Sequence, residues 1–287
     1  MDNQNSDILV SICCITYNHE KYIAQAMEGF LMQKTNFKYE ILVGEDCSTD
    51  GTKKIVEQYC RQYPDLIKPV FFEKNVGARK NGILTREKAT GKYMAFCEGD
   101  DYWTDPYKLQ KQVDFLENNP DYIICCHYSK VVDENDKLIY VDKSPKPLEY
   151  SYEDMFLGRK RETRTASMLF RNAGEIRDLA NKQWFLNCYN GDKFYKLFLT
   201  AETKKKIYVL PEVMSCYRIH EGGVWSKANP KMKKKKSRHD FNVIIRNFPS
   251  SANLKREMRK KYMKQFFLYD VKNFDINNIL TAAKHLL

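Results

Sequence analysis

The stretch ILVSICCITYN (residues 8–18) is a nearly continuous apolar run that stops in a polar turn, and Tyr22, Ile23, Ala26, Met27, Phe30 and Leu31 follow it at helical spacing. A strand apolar at almost every position has both faces covered, and a helix with one apolar stripe can cover one of them. The pair of signals then recurs. YEILVGED (39–46) reads as a second strand, STDGT as capping residues, and Ile55, Val56, Tyr59 and Cys60 as the next helical stripe. LIKPVFFE (66–73), a helix around 80–89 and KYMAFCE (92–98) continue the alternation, and Asp105 and Pro106 read as the cap and first residue of a helix with Leu109, Val113 and Leu116 inward. Strands and helices alternating at these lengths predict an α/β fold with a mainly parallel, doubly wound, Rossmann-like sheet. Such sheets bind ligands beyond the carboxyl ends of their strands, where the polar clusters TYN, GEDCSTD and EGDD all fall.

Beyond residue 120 the pattern loosens. YIICCHYSKVV (122–132) reads as a strand, VVDENDKLIY as a hairpin, TASMLF (165–170) as a strand, and the region from 227 as helices joined near Pro249. With 287 residues, 43% of them hydrophobic, the chain can bury one large α/β domain with an appendage. A mean hydropathy of -0.62 and the lack of a long apolar window predict no membrane span. MDNQNSDILVSICC lacks a basic segment followed by an apolar run and a cleavage site, which predicts a cytoplasmic protein. Nine cysteines include two adjacent pairs inside apolar runs and no CxxC, so reduced buried thiols are expected rather than a disulfide framework or a zinc site.

The acids Glu98, Asp100 and Asp101 end an apolar strand, and Asp105 already serves a cap. Clustered carboxylates on a tight turn suit a hard divalent cation such as Mg²⁺ or Mn²⁺; the bland alternative is an ordinary acidic turn.

The series CCITYN, GEDCSTDGT, NVGARKNGI, ATGKYMAFCEGDDYW, NGD and YRIH, in that order, resembles the family 2 glycosyltransferases with the GT-A fold over roughly residues 8–225. The resemblance implies a domain over 1–226, with a nucleotide-sugar half of about 1–120 and an acceptor half of about 121–226, and leaves 227–287 as a basic helical C-terminal extension. It implies metal-dependent, inverting transfer from a nucleotide sugar, with Mn²⁺ or Mg²⁺ on the diphosphate, to a glycan or lipid-linked glycan acceptor, as in cell-surface polysaccharide synthesis. Asp100 then stands as the first metal ligand and Asp101 as the second. Glu98, where the family usually has Asp, is expected to reach the ribose or a metal-bound water. Thr16, Tyr17 and Asn18 are expected beside the base and ribose, and Arg79 and Asn81 on the nucleotide side. Asp46 matches the residue that accepts the N3–H of uracil, which favours a UDP-sugar; capping the following helix is its alternative role. Asp192 matches the family's catalytic base although Gly191 replaces the usual Glu before it, and a helix cap is the alternative. His220 matches a late histidine that completes the metal site, against a packed or surface role, and Arg218 either meets a phosphate or faces solvent. Trp103, Trp184 and Trp225 are core anchors or sugar platforms, and RKRETRTASMLFR (159–171) either faces an anionic acceptor or is a solvated loop.

Residues 227–265 carry an excess of twelve positive charges out of the chain's +11 total, so the remainder sums to about −1. Interleaved with Trp225, Phe241, Ile244, Ile245, Phe248, Tyr262, Phe266 and Phe267, this segment reads as amphipathic and predicts contact with an anionic membrane surface. No recognisable nucleic-acid module accompanies it, so no nucleic-acid partner is expected. Competing readings are a nucleotidyltransferase, which lacks support from a Gly-rich basic loop after the first strand, and a non-catalytic polyanion binder on a degenerate fold, which the retained Asp100 and Asp192 oppose.

Overall fold

The computed structural model describes residues 8–172, 174–223 and 229–287, so Trp225 and Lys227 lie outside the described residues. The chain begins with four strands, β1 (Ile8–Thr16), β2 (Lys38–Glu45), β3 (Ile67–Phe71) and β4 (Tyr93–Phe96), alternating with α1 (Ile23–Leu31), α2 (Thr52–Gln62) and α3 (Ala78–Arg86). The short β5 (Tyr102–Trp103) leads into α4 (Lys108–Asn118) and the long β6 (Tyr122–Asp133). Two three-residue strands follow, β7 (Leu138–Tyr140) and β8 (Leu148–Tyr150), then α5 (Tyr152–Leu157) and β9 (Leu169–Arg171). The helices α6 (Glu175–Ala180), α7 (Gln183–Asn187) and α8 (Gly191–Thr203) precede β10 (Lys206–Ile219). The chain then finishes as α9 (Pro230–Asn247), α10 (Ala252–Tyr262), α11 (Leu268–Lys272) and α12 (Ile276–Leu286).

One sheet runs in the order β3-β2-β1-β4-β9-β6-β10-β5. β1 pairs in parallel with β2 and β4, β2 with β3, and β6 with β10, while β9 is the antiparallel insert between β4 and β6. Alternation along β1 sends Val10, Ile12 and Cys14 into the core beneath α1 and α4, and Cys13 into the core on the other face with α3 and α8. Cys125 and Cys126 split across the sheet in the same way, so neither adjacent pair shares a face. All nine cysteines are free thiols.

The structure moves several expected boundaries. α4 starts at Lys108, and Asp105 closes the turn ahead of it, its Oδ1 accepting from the Tyr107 N–H at 2.7 Å. TASMLF is a 3₁₀ turn over Thr165–Ser167 followed by β9. The reason is that side chains claim its carbonyls: Trp103 Nε1 donates to Ala166 O at 2.9 Å and Gln112 Nε2 to Ser167 O at 2.8 Å. Trp103 is therefore buried core, and Trp184 packs among Phe185, Phe194, Phe198 and Phe248, so neither is a sugar platform.

The C-terminal helices differ most from expectation. Phe241, Ile244, Ile245, Phe248, Tyr262 and Phe266 are buried in one cluster with Phe194, Leu197 and Phe198 of α8, so the apolar stripe offered to a membrane is spent inside the protein. A buried ion pair, Arg238 Nε to Asp270 Oδ2 at 2.8 Å, ties α9 to α11 and draws in Tyr262, Asn242 and the Asn278 carbonyl. No described helix is long and apolar enough to cross a membrane.

Candidate active site

β1, β2 and β4 end at one rim of the sheet and open onto a cleft of about 830 Å³. At one end, Asp46 is buried and accepts from the Val76 and Gly77 N–H groups at 2.7 and 2.9 Å, which pins the loop into α3 rather than capping α2. Gly77 has φ 84°, a left-handed conformation that favours glycine at this bend. Each Asp46 oxygen keeps a lone pair towards the cleft it lines. Tyr17, 40% exposed, stands beside it, and the buried Thr16 Oγ1 has no partner. Two residues expected to touch the donor carry hydrogen bonds between elements. Asn18 takes the Thr49 N–H at 2.8 Å and ties the first loop to the second. Asn81 donates to Gly44 O at 2.9 Å and accepts from Thr85 at 3.0 Å, stitching α3 to β2 at the cleft wall.

At the centre, Asp100 Oδ2 lies 3.0 Å from His220 Nε2 and 3.7 Å from His19 Nε2. Burial would raise the Asp100 carboxyl, but the two imidazoles outweigh it and hold it below its usual value. The ligand atoms of His19, Asp100 and His220 lie within 4.8 Å of one another, as do those of Glu98, Asp100 and Asp101. His19 Nδ1 is buried without a partner. A carboxylate with two imidazoles, one nitrogen orphaned, fits a borderline divalent ion and suits Mn²⁺ better than the oxygen-seeking Mg²⁺. Asp101 is the weaker candidate: it is buried behind the cleft and its Oδ1 accepts from the Arg218 N–H at 2.9 Å. Arg218 does not face bulk solvent. It is buried, paired with Asp136 at 2.9 Å and Gln25 at 2.5 Å, and donates to the Asp100 carbonyl at 3.1 Å, so it fixes the acidic turn.

Glu98 lines the cleft with Asp100 and Asp192 as neighbours. Burial and the neighbouring Asp100 and Asp192 push its carboxyl up to about 8. Asp192 occupies the first turn of α8, where its Oδ2 meets Lys196 Nζ at 2.7 Å and Lys160 Nζ at 3.6 Å. Burial alone would raise this carboxyl, but the two lysines hold it well below the ordinary carboxylate range, so it is ionised. Burial and Lys196 together bring Lys160 down to about 7. A helix-cap role for Asp192 is not observed, since the cap position is Asn190 without a side-chain bond. Arg79 also sits at this end: it donates to Cys188 O at 3.0 Å and lies 4.5 Å over the Phe185 ring. A Cβ on Gly191 would come within 1.8 Å of its guanidinium, so the missing Glu is replaced by space for Arg79.

Residues 11–176 match the profile described as Glycosyl transferase family 2. The chain belongs to this family. Among similar proteins, "Uncharacterized protein Rv1520" of Mycobacterium tuberculosis is 35% identical over 222 residues, which cover 76% of this chain and 61% of that protein. The chain thus matches about three-fifths of that relative's length. Staphylococcus aureus TarS 1–349 in complex with UDP-GlcNAc superposes with a TM-score of 0.65 at 21% identity, covering 94% of this chain and 76% of that one. The mannosyltransferase PcManGT of Pyrobaculum calidifontis, in complex with GDP-Man and Mn²⁺, gives 0.63 at 16% identity, covering 96% and 73%. The fold is GT-A.

Within this family 2 domain, the sequence pointed to Asp46, Asp100 and Asp192, which line one cleft, and to His220, which meets Asp100 at 3.0 Å. It missed His19, whose signal was its place directly after TYN, and Lys196, four residues from Asp192 on the same helix face. Lys160 and Arg86 had no local signal, because only the packing of α3, α8 and the 159–164 loop brings them to the cleft.

Proposed function

We propose that the chain is a metal-dependent, inverting glycosyltransferase that moves a sugar from a nucleoside diphosphate sugar, with UDP the expected nucleotide, to a hydroxyl of a glycan or lipid-linked glycan. The observation that carries this reading is one cleft with an imidazole–carboxylate cluster fit for a divalent ion and an ionised, lysine-paired Asp192. The UDP-GlcNAc of TarS and the GDP-Man and Mn²⁺ of PcManGT support a nucleotide sugar with a divalent ion here.

Asp100, His220 and His19 would hold the ion, which when bound offsets charge on the departing diphosphate. Tyr17 and Thr16 would line the nucleoside, and Asp46 would accept an N–H of the base. Asp192 takes the proton of the acceptor hydroxyl as that oxygen attacks the anomeric carbon from the face opposite the diphosphate. Lys196 and Lys160 keep it ionised at neutral pH. They also weaken it as a base, so the proton moves late, once the new C–O bond has acidified the hydroxyl.

Incubation with Mn²⁺ and a panel of UDP- and GDP-sugars, read by nucleotide release and ligand-induced thermal shift, tests the proposal. Lack of metal-dependent binding by every donor would end it. Asp192→Asn should keep donor binding and lose transfer, and Asp100→Asn should weaken both.

The basic surface of α9 and α10 supports an electrostatic hold on an anionic membrane, each nearby lysine adding about 1 kcal/mol, without insertion of the buried aromatic residues. Liposome flotation at rising salt tests this, and equal flotation on neutral lipid would refute it.

A further inference from the structure

Arg86, the last residue of α3, sends its guanidinium back along the helix to the cleft floor, where Gly82 leaves it room: a Cβ there would lie 3.0 Å from Arg86 Nη1. The group lies 4.5 Å from the centre of the Tyr195 ring and 5.3 Å from that of Phe96. Among the described residues no carboxylate pairs with it and no hydrogen bond reaches it. Burial, with Arg79 nearby, drags even this guanidinium down to about 9. Half-buried and open to the cleft, the guanidinium presents a planar fork matched to an oxyanion.

Its position says which substrate reaches it. Tyr195 stands three residues after Asp192, and Phe96 two residues before Glu98 on the same side of the chain. Arg86 therefore lines the cleft at the end that also carries Glu98 and Asp192. Lys160 and Arg164 line the same cleft, Lys160 within 3.6 Å of Asp192. We infer that the donor sugar is acidic, a hexuronate whose carboxylate reaches the cleft floor and pairs with Arg86. This rests on the glycosyltransferase reading above and names the substrate class of that same site. Tyr195 and Phe96 hold the guanidinium between them, so the fork is pre-set before the donor arrives.

Titration calorimetry in Mn²⁺ with UDP, UDP-glucose and UDP-glucuronate separates the outcomes, using the wild-type chain, Arg86→Gln and Arg86→Lys. The wild type should prefer the glucuronate over the glucose donor by about tenfold or more, the scale of a charge-assisted pair. Arg86→Gln should abolish that preference while UDP binds as before, and Arg86→Lys should keep part of it. Equal affinity for both donors in the wild type, or a preference that survives Arg86→Gln, overturns the inference. Unchanged donor preference in Arg86→Gln with transfer lost only to an acidic acceptor places the anion on the acceptor, and overturns it too. If UDP itself fails to bind, the UDP-sugar reading falls and takes the inference with it. UDP binding with flat selectivity removes the inference alone. Should Arg86→Gln not fold, the wild-type selectivity and Arg86→Lys still decide.

Discussion

Replacing Asp240 by Ala tests whether the C-terminal helices place Asp192, the proposed base, or merely cover the core. Asp240 is a buried carboxylate on α9 that accepts from the Tyr189 N–H at 2.9 Å, the Asn190 N–H at 3.1 Å and the Asn190 Nδ2 at 2.5 Å. These are the two residues before Gly191 and Asp192, so one side chain of the basic region fixes the entry to α8. Bonds to an ionised acceptor contribute roughly 1.5–3 kcal/mol each when buried. The loop is partly exposed, and water will replace some of that, leaving an expected loss of about 3 kcal/mol. For a domain of this size such a loss lowers the melting midpoint by roughly 10 °C. A displacement of Asp192 by about 1 Å would cost transfer on the order of a hundredfold. The proposed donor contacts, Asp46, Asp100 and His220, lie on other elements, so donor binding should hold. Urea unfolding, donor titration and initial rates of nucleotide release measure the three quantities on one preparation. Transfer within about twofold of wild type, whatever the stability, would refute the argument that α9 positions Asp192, because loss of its anchor would then leave the base in place.

Three further outcomes follow from single contacts. Asp270→Ala strands the buried Arg238 cation and should cost about 3–5 kcal/mol in denaturant unfolding, whereas Arg238→Met with Asp270→Leu should recover most of it; equal losses would deny the pair its role. Burial would raise the Glu40 carboxyl, but Lys68, Ser11 and Thr90 bonds hold it below its usual value. Its stabilisation is therefore present above the unfolded value near 4.5 and lost as pH falls through the lower folded one, so Glu40→Gln should flatten that acid limb in pH-dependent melting. Gly29→Ala puts a Cβ 2.9 Å from the Trp103 backbone N, where β5 cannot retreat, and should cost about 1–3 kcal/mol; a neutral result would show that α1 and β5 separate freely.

The first half of the fold was legible because its signals are local. Continuous apolar runs marked β1, β2 and β4, period-3.6 stripes marked α1 and α2, and polar turns marked the strand ends that carry Asp46 and Asp100. The later strands were harder to read. β9 has three residues and is set by its neighbours, while Trp103 and Gln112, distant in sequence, convert the start of TASMLF into a 3₁₀ turn. Periodicity cannot show which side chains will take a carbonyl from across the molecule.

Charge and apolar pattern misled in the C-terminal region for a related reason. An amphipathic helix announces that its stripe will be buried but not against what, and here α8 and its own neighbours take the place expected for lipid. The sequence by itself determined the first strands and helices and the acidic turn at Asp100, since these depend on residues adjacent in the chain, while Asp46, Asp192 and His220 were singled out by the family resemblance. Only the tertiary structure decided that His19 joins Asp100, that Lys160 joins Asp192, that Arg218 is a buried clamp and that Arg86 stands without an ion-pair partner in the same cleft. Those facts arise from loop convergence and from burial, which change a side chain's electrostatic surroundings without leaving any mark on the residues next to it.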